Sequence, residues 1–465
     1  MIFLAELNGL KTFATDIGNA YLEALTSERV AIIAGPEFGK LEGHTLIIYK
    51  ALYGLRSSGL RWHEKFADTL RNEGFVPSKS EGDIWMRHNK ELDVYEYIAV
   101  YVDDLAMAMQ DPQAFCDILT SVKYNYKLKG TGPISYHLGC EFFRDSDGVL
   151  YSSPRKYVDK MVDGYVRMFG EKPSLKVTSP LEKGDHPELD TSELLGIDDI
   201  KKYQSMIGAM QWAISLGRLD ITTAVMTLSG FRVAPRKGHL ERAQRVYGFL
   251  YKFRDACLPI RVNEPNYSGL PFTQYDWMRS VYGDVAEGIP ENAPPPLGNF
   301  VTTTTYVYAN LYHDMITGRS VTGILHLLNQ TTVDWYSRKQ ATVETATYGS
   351  EFVAARTATD QILDLRLTLR YLGVPIRDVS YMFGDNKSVV DSSITPHAKL
   401  HKRHNALSFH RLREAISSGA INFFHIDGKL NPADILSKHW GHSQVRPLLR
   451  VLLYNHIPAN QSSDT

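Results

Sequence analysis

The sequence predicts an α+β / α/β fold, with two α/β regions separated by a helical stretch. Three observations predict it. Residues 95–109 read as two strands around an acidic turn: Tyr95-Glu96-Tyr97-Ile98-Ala99-Val100, then Tyr101-Val102-Asp103-Asp104, then Leu105-Ala106-Met107-Ala108-Met109. Residues 200–255 switch to helical spacing, with Tyr203, Ile207 and Met210 on one face and Ala243, Val246, Phe249 and Leu250 on another. A second strand-and-helix pattern starts at Phe300, after a segment rich in proline and glycine.

The chain has 465 residues, 43% of them hydrophobic, which suits two or three domains. The formal net charge of -1 gives no global basic field. Any nucleic-acid contact must then use local basic patches. Cys116, Cys140 and Cys257 are far apart and form neither a metal spacing nor a disulfide framework, which fits a reducing compartment. No apolar stretch reaches membrane-spanning length. Residues 1–10, with Glu6 inside, lack a basic leader and a small-residue cleavage site. They read as the middle of a helix, as if the chain began inside a domain. A cytoplasmic location with no membrane contact is expected.

Taken in order, residues 1–165 alternate short strands and helices. Residues 165–200 form a polar linker with Lys172-Pro173-Ser174 and Asp185-His186-Pro187. Residues 262–300 hold Asn263-Glu264-Pro265, Gly288-Ile289-Pro290 and Ala293-Pro294-Pro295-Pro296, and read as a flexible tether. Strands are expected from Thr302 to Tyr308, Val321 to Leu328 and Thr332 to Tyr336, where β-branched and aromatic residues gather. A long helix over 347–371 follows, then a strand from Val379 to Phe383, a helix over 403–418, a strand from Ile421 to His425 and a short helix over 432–440. The expected domains are 1–165, 166–261, the tether 262–300, 301–445, and a C-terminal tail 446–465.

Two adjacent aspartates at a hairpin tip repel each other and are costly to keep ionised. A divalent cation relieves that cost, and hard oxygen ligands suit Mg²⁺ or Mn²⁺. A solvated turn is the plainer reading, since Asp is common in turns. Upstream, Thr15-Asp16-Ile17-Gly18-Asn19-Ala20-Tyr21-Leu22 ends a strand in a third carboxylate. Three Asp from two strands make a cradle for two ions about 3.5–4 Å apart, suited to in-line phosphoryl displacement. Asp16 as a helix N-cap is the other reading.

These segments resemble the reverse transcriptase of copia-type long-terminal-repeat retrotransposons. The resemblance rests on Asp16 to Leu22, on Lys50-Ala51-Leu52-Tyr53-Gly54-Leu55 with Trp62, on Tyr101 to Leu105, and on Tyr136-His137-Leu138-Gly139. It continues through Tyr203-Gln204-Ser205-Met206-Ile207-Gly208 and Arg218-Leu219-Asp220-Ile221. It implies a polymerase palm over 1–165 and a helical thumb or connection over 166–261. It also implies Asp16, Asp103 and Asp104 as metal-binding catalytic carboxylates. Tyr21 falls where the family places an aromatic that crowds the sugar 2′ position; core packing is its other reading. Lys50 and Arg56 are either phosphate contacts to template or primer or a solvated rim. Ser57-Ser58-Gly59 replaces the family's Gln-Ser-Pro. The family's basic fingers segment precedes the palm, and only Lys11 is cationic before Asp16. Weak or absent polymerisation is therefore expected.

The C-terminal pattern resembles the ribonuclease H domain of the same elements. Thr317-Gly318-Arg319-Ser320-Val321-Thr322-Gly323 matches the turn between its first two strands. Glu351 opens a long helix, Asp385 ends a strand and Asp434 begins the final helix. The resemblance makes these three acids members of a four-carboxylate, two-metal site. Individually, Glu351 and Asp434 also suit a helix start on dipole grounds. The family's spacing back from Gly323 puts Tyr308 where the fourth acid belongs. A phenol is uncharged at neutral pH and cannot bridge two cations; Asn310 and Asp314 are out of place. RNA cleavage is expected to be lost or crippled. His401, Lys402, Arg403, His404, His410 and Arg411 either line a hybrid backbone or form a solvated helix face.

The implied function is RNA-directed DNA polymerisation joined to an impaired ribonuclease H-like domain. Its partners would be template-primer, RNA–DNA hybrid, deoxynucleoside triphosphates and a partner chain of the same element, within the cytoplasm or a retroelement particle. The alternative is a catalytically degenerate remnant that binds nucleic acid or serves as a scaffold. An integrase or protease lacks support: there is no His-Cys zinc module and no Asp-Thr/Ser-Gly box.

Overall fold

The computed structural model describes residues 1–454 apart from Gln274, Asp378, His401, Lys402 and the side chain of His442. Contacts divide the chain into two units. The first comprises Met1–Leu138 with Pro294–Asn299 and Tyr371–Val374; the second comprises Gly139–Ala293, Phe300–Arg370 and the residues from Pro375 onward.

The first unit is organised by a six-stranded antiparallel sheet. Its strands are β1 (Lys11–Ile17), β2 (Val76–Pro77), β3 (Ile84–Asn89), β4 (Val94–Tyr101), β5 (Asp104–Met109) and β6 (Leu128–Pro133), in the order β2-β3-β4-β5-β1-β6. Strand alternation sends Leu105, Met107 and Met109 to one face. There they share a core with Trp62, Phe66 and Leu70, spaced four apart on helix α1 (Ser58–Asn72). Ala106 and Ala108 on the opposite face are also buried.

In the second unit, a small antiparallel sheet holds β7 (Cys140–Arg144), β8 (Leu150–Ser153) and β9 (Leu258–Ile260). Helices α2 (Arg155–Phe169), α3 (Ile197–Ser215), α4 (Thr222–Ser229) and α5 (Lys237–Lys252) come between β8 and β9. A five-stranded sheet follows, made of β10 (Thr303–Asn310), β11 (Val321–Leu328), β12 (Thr331–Lys339), β13 (Ser380–Gly384) and β14 (Ile421–His425). Its order is β12-β11-β10-β13-β14. The β10–β11 and β11–β12 pairs are antiparallel, while β13 runs parallel to β10 and β14 parallel to β13. This is a ribonuclease H-like arrangement.

Val307, Ala309 and Ile324 form one core with Phe352, Ala355 and Ile362 of α6 (Thr347–Tyr371) and Phe409 and Leu412 of α7 (Ala406–Ser417). Leu325 joins another core with Tyr203, Ile207 and Met210 of α3 and Ala243, Val246 and Leu250 of α5. The faces expected for α3 and α5 are therefore the buried ones. The helical stretch and the five-stranded sheet share that core. Arg218 and Asp220, their side chains fully buried, form a two-pronged ion pair at 3.0 and 2.8 Å, and the Tyr454 hydroxyl donates to Asp220 at 2.6 Å.

Two segments differ from expectation. The expected short helix over 432–440 is a 3₁₀ turn, Pro432–Leu436. The indole N–H of Trp440 and the hydroxyl of Ser437 both donate to the Asp434 carbonyl, closing the turn. The expected tail contains helix α8 (His442–Leu452). Val445, Leu449 and Leu453 recur every fourth residue and are buried, a stripe interrupted in sequence by Pro447. Residues 455–465 of that tail lie outside the described residues. Among the described residues of 262–300 none is in a helix or strand, yet Glu287 is anchored between Arg366 and Arg370. No helix among the described residues is long and apolar enough to cross a membrane.

Candidate functional site

The acidic hairpin has a two-residue turn. Tyr101 pairs with Asp104, leaving Val102 and Asp103 at the tip. Val102 has φ 60°, a left-handed conformation that β-branched residues seldom adopt. Two contacts hold it there. The Trp62 indole N–H donates to the Val102 carbonyl at 2.6 Å, and the Ile17 N–H donates to the Asp103 carbonyl at 2.9 Å.

Asp16 and Asp104 are direct cross-strand partners between β1 and β5. The three acids of the first cluster thus come from one strand end and the adjacent turn. Burial first, then the Asp103 and Asp16 carboxylates, push the Asp104 carboxyl above its ordinary range. On its other edge Asp16 is paired with Lys129 of β6, across a register shift. Gly18 permits that approach: its N–H donates to the Lys127 carbonyl at 2.7 Å, and a Cβ there would stand 2.9 Å from Lys129 Cε.

Tyr21 is half-buried and packs on Tyr53, with ring centroids 4.6 Å apart. The Tyr53 hydroxyl is pushed up by burial, then by Asp103, Tyr21 and Asp16, so it borders the acids. Lys50 and Arg56 are exposed; Lys50 forms an isolated bridge with Leu25. Ser58 opens α1 and donates to the Leu52 carbonyl at 2.6 Å, which ties the Ser57-Ser58-Gly59 departure to the loop before it.

The second cluster gathers around β10. Tyr308 is the register partner of Gly323. A Cβ on Gly323 would lie 2.5 Å from the Ala433 carbonyl oxygen and 3.0 Å from Leu436, so only glycine admits the Pro432–Leu436 turn here. That turn carries Asp434. Asn431 fastens it by donating to the Val307 carbonyl at 2.9 Å. Glu351, buried at the start of α6, accepts from the Ala309 N–H at 3.1 Å. Burial and then Asp385 push the Glu351 carboxyl well above its ordinary range. Asp385 and Asp434 are also raised, chiefly by burial, with Lys438 opposing the shift in both. The Tyr308 hydroxyl is raised by burial and then by Asp434, Asp385 and Glu351, so all three acids act on it. Asn310 instead contacts His313 at 3.0 Å and the Ser437 carbonyl at 3.3 Å, and Asp314 pairs with Lys339.

Sequence reasoning missed Lys438. Its ammonium lies 3.0 Å from Asp434, donates to the Tyr308 hydroxyl and sits 4.2 Å from that ring's centroid. The signal was present as an acid and a lysine four residues apart. Lys129 and Tyr53 were missed for the other cluster. Of the basic stretch, His404 pairs with Glu344, Arg411 with Asp360, and His410 bonds Tyr282; His401 and Lys402 lie outside the described residues. Among the described residues no three His, Cys, Asp or Glu side chains already stand as a metal-binding group.

Residues 2–176 match the family of reverse transcriptases (RNA-dependent DNA polymerases). The chain is 29% identical over 289 residues to a transposon Ty5-1 protein of Saccharomyces cerevisiae, covering 62% of this chain and 88% of that one. It is 24% identical over 425 residues to the retrovirus-related Pol polyprotein from transposon RE1 of Arabidopsis thaliana, covering 91% of this chain and 26% of the polyprotein. The match to the Pol polyprotein from transposon TNT 1-94 of Nicotiana tabacum is 22% over 448 residues and covers 30% of that polyprotein. The chain therefore spans about a quarter to a third of the Pol polyproteins it matches. Among solved structures, the foamy viral protease-reverse transcriptase in complex with RNA/DNA hybrid is similar at 12% identity and a TM-score of 0.29, covering 93% of this chain and 68% of that one. Residues 2–176 are thus similar to reverse transcriptases, and the chain over most of its length is similar to stretches of retrotransposon Pol polyproteins.

Proposed function

We propose that the first unit carries template-directed nucleotidyl transfer at Asp16, Asp103 and Asp104. The observation that carries this reading is the cross-strand pairing of Asp16 with Asp104, beside a turn that holds Asp103. The donor set fits Mg²⁺ or Mn²⁺: the oxygens are hard, and like-charge crowding at Asp104 is the condition a cation relieves. When bound, two divalent ions supply charge stabilisation at the transferring phosphoryl group. The chain's own contribution is positional. The Trp62 and Ile17 contacts fix the turn, and a fixed donor set needs little rearrangement as charge develops. Tyr21, braced by Tyr53, is read as the wall beside the sugar, while Lys50, Arg56 and Lys129 are read as phosphate contacts for template, primer or triphosphate.

The test is primer extension on an RNA or DNA template with Mg²⁺ or Mn²⁺. Asp104→Asn should cut incorporation about 100-fold or more. Incorporation untouched by that change would overturn the assignment. Tyr21→Ala should raise ribonucleotide use relative to deoxynucleotide use.

For the second unit we propose a degenerate ribonuclease H-like site. Tyr308 carries that reading, since it offers a neutral oxygen amid Glu351, Asp385 and Asp434. Tyr308→Asp should raise cleavage of an RNA–DNA hybrid above that of the unmodified chain; no increase would count against the reading. The proposal entails template-primer and hybrid as partners, a partner chain of the same element, and action in the cytoplasm or a retroelement particle. Cys116, Cys140 and Cys257 are buried and joined in no disulfide among the described residues, which agrees with a reducing compartment.

A further inference from the structure

We infer that the Lys438 ammonium is the resident cation of the Glu351, Asp385 and Asp434 cluster, so the second unit supplies its own counter-charge there and holds together without a divalent ion. The inference rests on reading that cluster as the counterpart of a two-metal nuclease site. Lys438 is four residues beyond Asp434 and contacts it at 3.0 Å. Its ammonium also donates to the Tyr308 hydroxyl, and its charge acts on Glu351 and Asp385. The Tyr308 ring centroid is 4.2 Å away and that of Trp440 4.9 Å, and the lysine side chain is 25% exposed.

Tyr308 suits this arrangement. An aromatic face attracts a monovalent ammonium, and a neutral phenol oxygen accepts its hydrogen bond. Neither property replaces the charge of a bridging carboxylate. Three acids gathered without a counter-ion repel one another. A tethered lysine answers that repulsion without dissociating, so a chelator cannot remove it.

Thermal unfolding of the full chain in EDTA and in excess Mn²⁺ tests the proposal. Lys438→Met should lower Tm in EDTA by about 5 °C or more, as expected for stranding a partly buried charge. Lys438→Arg should retain most of the wild-type Tm. Adding Asp434→Asn to Lys438→Met should recover at least half of the loss, because the stranded charge is then gone. A Lys438→Met chain that unfolds at the wild-type temperature in EDTA, or an Asp434→Asn addition that recovers nothing, overturns the proposal. The underlying nuclease reading is tested separately with Tyr308→Asp plus Lys438→Met. Mn²⁺ should raise the Tm of that chain by more than it raises wild type, a comparison in which any palm contribution cancels. If it does not, the nuclease reading falls, while the EDTA results still decide the role of Lys438.

Discussion

The Trp62 indole N–H donates to the Val102 carbonyl oxygen at 2.6 Å, and so ties helix α1 to the tip of the acidic hairpin. Trp62 is only 2% exposed and stacks on Phe66, with Tyr126 meeting both rings edge-on. The hairpin tip is therefore anchored to the core of the first unit and not only to its own strands.

Trp62→Phe keeps an aromatic ring but removes the donor. Urea denaturation should show a loss of about 1–3 kcal/mol, the cost of an unsatisfied carbonyl plus a smaller ring. Incorporation in primer extension should fall as well, because Asp103 follows Val102 directly.

Val102→Gly tests the strain at φ 60°. Glycine adopts this region freely. The substitution should relieve about 1 kcal/mol of backbone strain, offset in part by the greater freedom of the unfolded chain. Stability should change by less than about 1 kcal/mol, whereas Val102→Ile should bring no gain. Chemical denaturation of both variants checks the contrast.

Gly323→Ala should destabilise the second unit by about 1–3 kcal/mol, the usual cost of overpacking. The added carbon would meet the Ala433 carbonyl oxygen at 2.5 Å. The turn carrying Asp434 must then move away from β11, and the Tm should drop accordingly.

Glu287 gives a pH test with a definite sign. Its side chain is 16% exposed and pairs with both Arg366 and Arg370 at 2.6–2.7 Å. Burial opposes ionisation, but the two arginines overcome it and hold the carboxyl down to about 2. A lowered acid stabilises the fold above its unfolded value and loses that contribution as pH falls through the folded value. Glu287→Gln should thus cost about 3 kcal/mol at pH 7. The gap between the two chains should narrow as pH falls from about 4.5 towards 2. A gap that stays constant with pH would show that the ion pairs are not its source.

Glu351 has the opposite sign. Its carboxyl is raised well above the ordinary range, by burial first and Asp385 second. A raised acid stabilises the fold at low pH, and that contribution is lost as pH rises through the folded value. Wild type should lose stability on going from pH 4 upward relative to Glu351→Gln, which keeps an acceptor for the Ala309 N–H. Tm measured across that range for both chains checks it.

Much of the fold was legible because its signals are local. The strands Val321–Leu328 and Ile421–His425 and the helix Thr347–Tyr371 carry β-branched runs or apolar periods over contiguous residues. The acidic hairpin was legible for the same reason, and the distance from Gly323 back to Tyr308 proved to be a strand pairing. Helix α8 was harder to read, since Pro447 interrupts its stripe and its burial depends on helices over two hundred residues earlier in sequence.

The sequence by itself determined most strands and helices of the two α/β regions, and it singled out the two acid sets and Tyr308 as candidates. Only the tertiary structure decided that Asp16 faces Asp104, that Trp62 holds Val102 in a left-handed turn, and that Lys438 reaches Tyr308 across 130 residues of chain. The reason is physical. Secondary structure follows from periodicity along neighbouring residues, whereas a charge finds its partner through strand register and the close approach of one turn to one glycine, which no local window contains.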